Sequence, residues 1–195
     1  LLHLLMVTGP AVAIVALGVT IVPYMKRRWE GFLSPELGYQ IKQSIIGIGS
    51  GGIFGVGLGN SAQKYYFLPE RHTDFVFSIF AEELGFLGSA LLLGLTIAYI
   101  IRGLKIAGRA PDMFGFLTAS GLTMIFAMQV FINIGVAIRI LPTTGMTLPF
   151  ISYGGSSIVV SFIVTGILLS ISRQGNYVMS MSREFGNRSW RKAWE

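Results

Sequence analysis

Apolar positions in this chain do not alternate with polar ones; they run on. Four stretches reach the roughly 20 residues that a helix needs to cross a bilayer: about 1–24, 75–101, 113–141 and 156–172. Each closes on a break or a charge, at Lys26-Arg27-Arg28, Arg102, Pro142 and Arg173 respectively. The pattern predicts an all-α fold, a polytopic transmembrane helix bundle of about four spans (residues 1–173). A long extracytoplasmic loop (about 26–74) separates the first two spans, and a basic tail (174–195) follows the last.

Small residues sharpen this picture. The third span carries Gly115, Ala119, Thr123 and Ala127 at four-residue spacing, and the second has Gly85 with Ser89 and Ala90 with Gly94. Such stripes let helix backbones approach in lipid, so they speak of bundle packing and not of chemistry.

Composition agrees. Of 195 residues, 52% are hydrophobic and 12% charged, about half the charged fraction of a soluble domain. Mean hydropathy is +0.66. A soluble enzyme, a disordered chain and a free nucleic-acid-binding domain are excluded as readings, and no nucleic-acid partner is expected. The net charge of +6 fits basic loops beside anionic lipid headgroups. With no cysteine, a disulfide framework and a thiolate metal site are ruled out. The chain opens inside an apolar run with no basic stretch before it, so it is expected to be the later part of a longer protein. Basic residues divide almost evenly between the two sides. Giving short loops more weight puts the C-terminal tail in the cytoplasm and the 26–74 loop outside.

That loop is where chemistry enters. Its glycine-dense stretch, Gly47 to Asn60, satisfies G-x-G-x-x-G at Gly47, Gly49 and Gly52, but a dinucleotide site needs a βαβ unit around it. Two readings stay open: backbone lying close to a ligand, headgroup or other segment, which glycine permits, or plain flexibility. Next comes Lys64-Tyr-Tyr-Phe-Leu-Pro-Glu-Arg-His-Thr-Asp74, running into the second span. Thr73 or Asp74 is expected to cap the helix that follows. At a helix N-terminus the dipole favours the ionised form of Asp74, so a base or a metal ligand is the alternative to a simple cap. Lys64 and Arg71 bring phosphate-binding cations near it. His72 has no second His or Cys at ligand spacing, so no zinc site is expected.

Glu82 and Glu83 lie inside an apolar run, where a carboxylate is costly and faces a bundle interior or wet cavity. At 100° per residue, Asp74, Ser78 and Glu82 are expected to line one polar groove, with Glu83 on the opposite side. The last connection, Leu141 to Ser157, breaks any helix with two prolines and three glycines. Irregular backbone at membrane depth must be buried or line a cavity. Ser152, Tyr153, Gly154, Gly155 and Ser156 there are candidates for contacting an anion at a helix N-terminus. Gln129, Asn133 and Arg139 are expected to face the interior.

Taken together, Gly57-Leu-Gly-Asn-Ser-Ala-Gln-Lys64, Leu68-Pro-Glu-Arg-His-Thr-Asp-Phe-Val-Phe77, Glu82-Glu-Leu-Gly85, Leu141-Pro-Thr-Thr-Gly145 and Leu148-Pro-Phe-Ile-Ser-Tyr-Gly-Gly-Ser-Ser157 resemble the SEDS (FtsW/RodA/SpoVE) family of bacterial membrane proteins. The likeness is to that family's C-terminal part, and the Gly57–Lys64 segment looks more like the FtsW branch. The resemblance implies a peptidoglycan glycosyltransferase in the bacterial cytoplasmic membrane, polymerising lipid II during division or growth. It further implies a class B penicillin-binding protein and other divisome or elongation-complex membrane proteins as partners. Asp74 matches the family's essential aspartate and becomes the candidate base. Lys64, Arg71 or a divalent cation (Mg²⁺ or Mn²⁺) would stabilise the departing diphosphate. Glu70, His72, Ser78, Glu82 and the 152–156 segment complete the expected substrate-binding set. Where many relatives carry lysine, this chain has Thr144. A lipid II transporter and a noncatalytic scaffold for the synthase are the competing readings.

Overall fold

In a computed structural model, the chain is described over residues 21–34, 38–63 and 75–191, together with Pro10 and Gly18, and its side chains as far as Gly175. Among the described residues five helices follow one another: α1 (Pro23–Leu33), α2 (Tyr39–Ser50), α3 (Val76–Ala107), α4 (Met113–Ala137) and α5 (Gly155–Arg191). Among the described residues three helices are long and apolar enough to cross a membrane: Val76–Ala107, Met113–Ala137 and Gly155–Gly175. The first expected span lies almost wholly outside the described residues.

The expected long loop is in fact partly helical. α1 carries Lys26, Arg27 and Arg28. α2, at 12 residues, extends only about 18 Å and is too short to span. The third span also ends earlier than its apolar run suggests. After Ala137 the chain turns left-handed at Arg139 (φ 60°), and the amides of Ile140 and Leu141 return to the Gly135 carbonyl at 2.7 and 3.0 Å. That return closes α4 four residues short of Leu141, because an αL residue ends the ladder whatever its side chain. Beyond Arg173, α5 continues to Arg191.

α3 and α4 approach closely where Gly103 faces Thr123. A Cβ on Gly103 would stand 2.3 Å from Thr123 Oγ1. Gly115, Ala119 and Thr123 of the expected stripe are all buried, as close backbone approach requires. The Ala90–Gly94 pair is not used this way, since Gly94 meets open space. Phe77, Phe126, Val130, Ala137 and Leu148 form the main core, and Ala107, Ala119, Leu168 and Ile171 join α3, α4 and α5 in a second. Tyr99 links both, stacking on Phe126 at 4.3 Å between ring centres and sharing a 2.9 Å hydrogen bond with Thr165.

α2 rests on the head of α3 through its Ile41, Ser44 and Gly47 face. The hydroxyl of Ser44 donates to the Ala137 carbonyl at 2.8 Å and is hydrogen-bonded to Ser78. Ser44 and Ser78 are wholly buried, so this short relay joins α2, α3 and the end of α4 without leaving a hydroxyl unpaired.

Candidate active site

The head of α3 is broken. Gly85, with φ 66° and ψ −163°, is non-helical inside Val76–Ala107, and the glycine-rich stretch fills the gap. An intact helix would have the amides of Phe86 and Leu87 donate to the carbonyls of Glu82 and Glu83. Here those amides donate instead to Gly52 and Ile53, at 2.9 and 3.2 Å. The carbonyls released accept from Val56 and Gly57, both at 3.0 Å. Two helical bonds are thus replaced by four bonds to an inserted strand of loop, which satisfies the backbone as membrane depth demands. Close approach explains Gly51 and Gly55, whereas nothing lies within 4 Å of a Cβ on Gly49, Gly52 or Gly59. A Cβ on Gly51 would meet the Ala81 carbonyl oxygen at 2.1 Å, and one on Gly55 the Glu83 carbonyl oxygen at 2.2 Å.

The break also organises Glu82. Its carboxyl group is buried (3% exposed) and surrounded by donors. Ser61 donates its hydroxyl, and the consecutive amides of Ala62 and Gln63 donate at 3.2 and 3.4 Å. Ser50 Oγ lies 3.4 Å away while donating to Gly47 at 2.9 Å. Hydrogen bonds to a carboxylate are about twice as strong as neutral ones. This carboxyl therefore pins the chain just before Lys64 to the second turn of α3.

Of the residues expected at the site, Lys64, Glu70, Arg71, His72 and Asp74 lie outside the described residues. Both ends of their segment are described, however. Gln63 is held by Glu82, and Phe75, the N-cap position of α3, is buried against Val136. The cap position thus falls on Phe75 and not on Thr73 or Asp74, because Val76 opens the helix. Ser78 and Glu82 do not line an open groove: the Ser78 hydroxyl is bound to Ser44 and the Glu82 oxygens to the loop. Ser78 ties α3 to α2, and Glu82 holds the chain at residues 61–63.

The final connection is pinned in the same manner. Asn133 donates to Met146 at 2.7 Å, the Leu148 amide donates to Ser152 at 2.7 Å, and Thr147 donates to Ser157 at 2.9 Å. Ser152 is therefore buried architecture, whereas Tyr153, Gly155 and Ser156 are exposed and Gly154 half-buried. Phe150 takes φ 66°, which aims its ring at Tyr99 and Phe162. Arg139 stands beyond α4 and donates to the Ser34 carbonyl at 2.8 Å, just past the C-terminus of α1. Asn133 is buried as expected, and Gln129 is half-buried. Sequence reasoning missed the helix break, Ser61 and Arg28. Glu82-Glu-Leu-Gly85 inside an apolar run was the available signal.

Comparisons with known proteins converge. A family model described as a cell cycle protein, FTSW_RODA_SPOVE, matches residues 1–177. The stage V sporulation protein E of Bacillus subtilis is 47% identical over 160 residues, covering 80% of this chain and 44% of that protein. A probable peptidoglycan glycosyltransferase FtsW of Coxiella burnetii is 48% identical over 158 residues, covering 77% and 42%. Among solved structures, a peptidoglycan synthase complex described as coordinating polymerization and crosslinking matches with TM-score 0.68 at 32% identity, covering 89% of this chain and 49% of that one. The chain spans less than half the length of these relatives.

Proposed function

The chain belongs to the FtsW/RodA/SpoVE family of cell cycle proteins, and from that premise we propose that it is the C-terminal part of a peptidoglycan glycosyltransferase that polymerises lipid II. The observation that carries the reading is the fixed position of the chain on either side of residues 64–74, at Ala62–Gln63 and at Phe75. One end is held by the Glu82 carboxyl and the other by buried Phe75, both on the first turns of α3. The aspartate, two cations and histidine of residues 64–74 lie in sequence between these two fixed points, and rigid support is what a transfer site needs.

In this reading Asp74 takes the proton from the acceptor sugar hydroxyl. The oxygen so freed attacks the anomeric carbon of the donor, the new C–O bond forms, and the bond to the lipid diphosphate breaks. Lys64 and Arg71 stabilise the negative charge that departs. A divalent ion does not fit Glu82, whose oxygens face N–H and O–H donors and not open space. No step here passes through a metal, and a Mg²⁺ or Mn²⁺ ion carried by the diphosphate remains part of the proposal only for the 64–74 segment. The 26–74 side faces outward, the C-terminus lies in the cytoplasm, and a penicillin-binding protein is the partner. A transporter using the Asp74–Glu82 face would need Ser78 and Glu82 open to a passage, and both are buried and bonded.

The test is glycan polymerisation from purified lipid II by the full-length protein with its partner synthase. Asp74→Asn should abolish product while leaving the folded protein intact. Unchanged polymerisation by that variant would remove Asp74 as the base, and lipid movement between leaflets without polymer would favour the transporter.

A further inference from the structure

We propose that the cavity between α1, the start of α2 and the connection after α4 binds the phosphate of a lipid-linked headgroup, with Arg27 and Arg28 as its cationic ligands. The cavity measures about 490 Å³, and its polar lining comes from Tyr24, Arg27, Arg28, Tyr39, Gln40 and Thr143, with no acidic residue among its described walls. Glu30, the one carboxylate described on α1, lies 3.8 Å from Lys26. Among the described residues Arg27 and Arg28 have no carboxylate partner.

Arg28 is held in place. Its guanidinium sits 4.4 Å from the centre of the Tyr24 ring, and it donates to the Tyr24 hydroxyl and to the Thr143 carbonyl. Those two contacts use one N–H on each terminal nitrogen and leave the others of its five for an anion. Arg27 is exposed. A second cavity of about 270 Å³ shares Tyr24, Arg28 and Thr143 with the first and extends to Thr144, so Arg28 stands between the two.

The chemistry favours a phosphate. Two adjacent guanidiniums offer planar forks to its oxygens, and hydroxyl and amide side chains supply further donors. Depth agrees: Tyr24, Trp29 and Tyr39 are exposed around the site, and such aromatic side chains gather at the level of lipid headgroups. Two sources present this chemistry, the diphosphate of a polyprenyl-linked sugar donor and the headgroup of an anionic phospholipid. The first rests on the glycosyltransferase reading; the second does not.

Binding without turnover separates them. The full-length protein in nanodiscs would be titrated with a polyprenyl diphosphate and, in a second series, with phosphatidylglycerol. Arg27→Gln should weaken one of the two by about tenfold, the scale of one lost charge-assisted contact, and Arg27→Lys should weaken it less. Loss for the diphosphate alone assigns the site to the donor; loss for phosphatidylglycerol alone assigns it to membrane lipid. Arg28→Lys, which keeps the charge but not the fork, should weaken the same probe. If Arg27→Gln and Arg28→Lys both bind each probe as tightly as the unaltered protein, the site is refuted. Because no polymer is measured, failure of the catalytic reading through Asp74→Asn leaves this result readable.

Discussion

Gly55 and Gly85 touch backbone to backbone: a Cβ placed on Gly85 would lie 2.3 Å from the Gly55 amide nitrogen. Both residues also take positive φ, 80° and 66°, so a side chain at either meets strain and collision together. Gly85→Ala should therefore destabilise the protein by at least about 2 kcal/mol, and Gly55→Ala comparably. Gly94→Ala is the control, since nothing lies within 4 Å of its Cβ position and alanine favours a helix by roughly 0.5–1 kcal/mol. Thermal unfolding of the full-length protein in detergent checks the set. A Gly85→Ala protein as stable as Gly94→Ala would mean that the loop does not insert into α3 as described.

Glu82 makes the second prediction. Glu82→Gln keeps the volume but turns an NH₂ toward a ring of donors, so at least one of Ser61, Ala62 and Gln63 loses its acceptor. If Glu82 acts by holding the chain ahead of Lys64, the variant should lower kcat by roughly tenfold to a hundredfold, the effect of about 1.4–2.7 kcal/mol of lost positioning. KM for the lipid substrate should change little, because no substrate atom is touched. Amide exchange over residues 61–63 should accelerate in parallel. A large rise in KM at constant kcat would instead make Glu82 a direct substrate contact.

These two sites show what the chain alone discloses. Apolar runs of helical length announced three of the described helices, because burial in lipid and burial in a bundle impose the same composition. The Gly115–Thr123 stripe likewise pointed to a helix contact. Hydropathy could not reveal that Gly85 interrupts its helix, since Phe86 and Leu87 continue the apolar run and only the Gly52 and Ile53 carbonyls, more than 30 residues away, make the break tolerable. For the same reason Glu82 read as a groove residue. Its partners come from a loop whose path no local pattern encodes. α1 and α2 were hidden in the expected loop because each is short and carries charge or glycine.

The α3–α4 crossing offers a compensation test. Gly103→Ala would bring its Cβ to 2.3 Å from Thr123 Oγ1 and 2.8 Å from Thr123 Cγ2, forcing the helices apart at about 1–3 kcal/mol. Thr123→Ala removes both of those atoms. It also removes a hydroxyl bonded back to Ala119 at 2.7 Å, so no stranded donor remains. The double variant should thus be more stable than Gly103→Ala alone, with a coupling of about 1 kcal/mol or more in a double-mutant cycle. Strict additivity in the unfolding midpoints would show that the two positions do not meet.

Arg139 sets two effects of opposite sign against each other. Its φ of 60° costs a non-glycine residue about 1–2 kcal/mol, so Arg139→Gly relieves strain. The same change removes the guanidinium from the Ser34 carbonyl at 2.8 Å, where a cation stabilises the C-terminal end of α1. A hydrogen bond from a charged donor contributes about 1.5–3 kcal/mol, which exceeds or matches the relief. Arg139→Gly should therefore be neutral to mildly destabilising overall. Proteolysis and amide exchange should still show α1 loosened on its seat. Arg139→Ala keeps the strain and loses the bond, so it should be the less stable of the two by about 1 kcal/mol. The order Arg139 ≥ Gly > Ala in unfolding midpoint is the expected outcome, and Ala above Gly would mean that residue 139 is not left-handed in the folded protein.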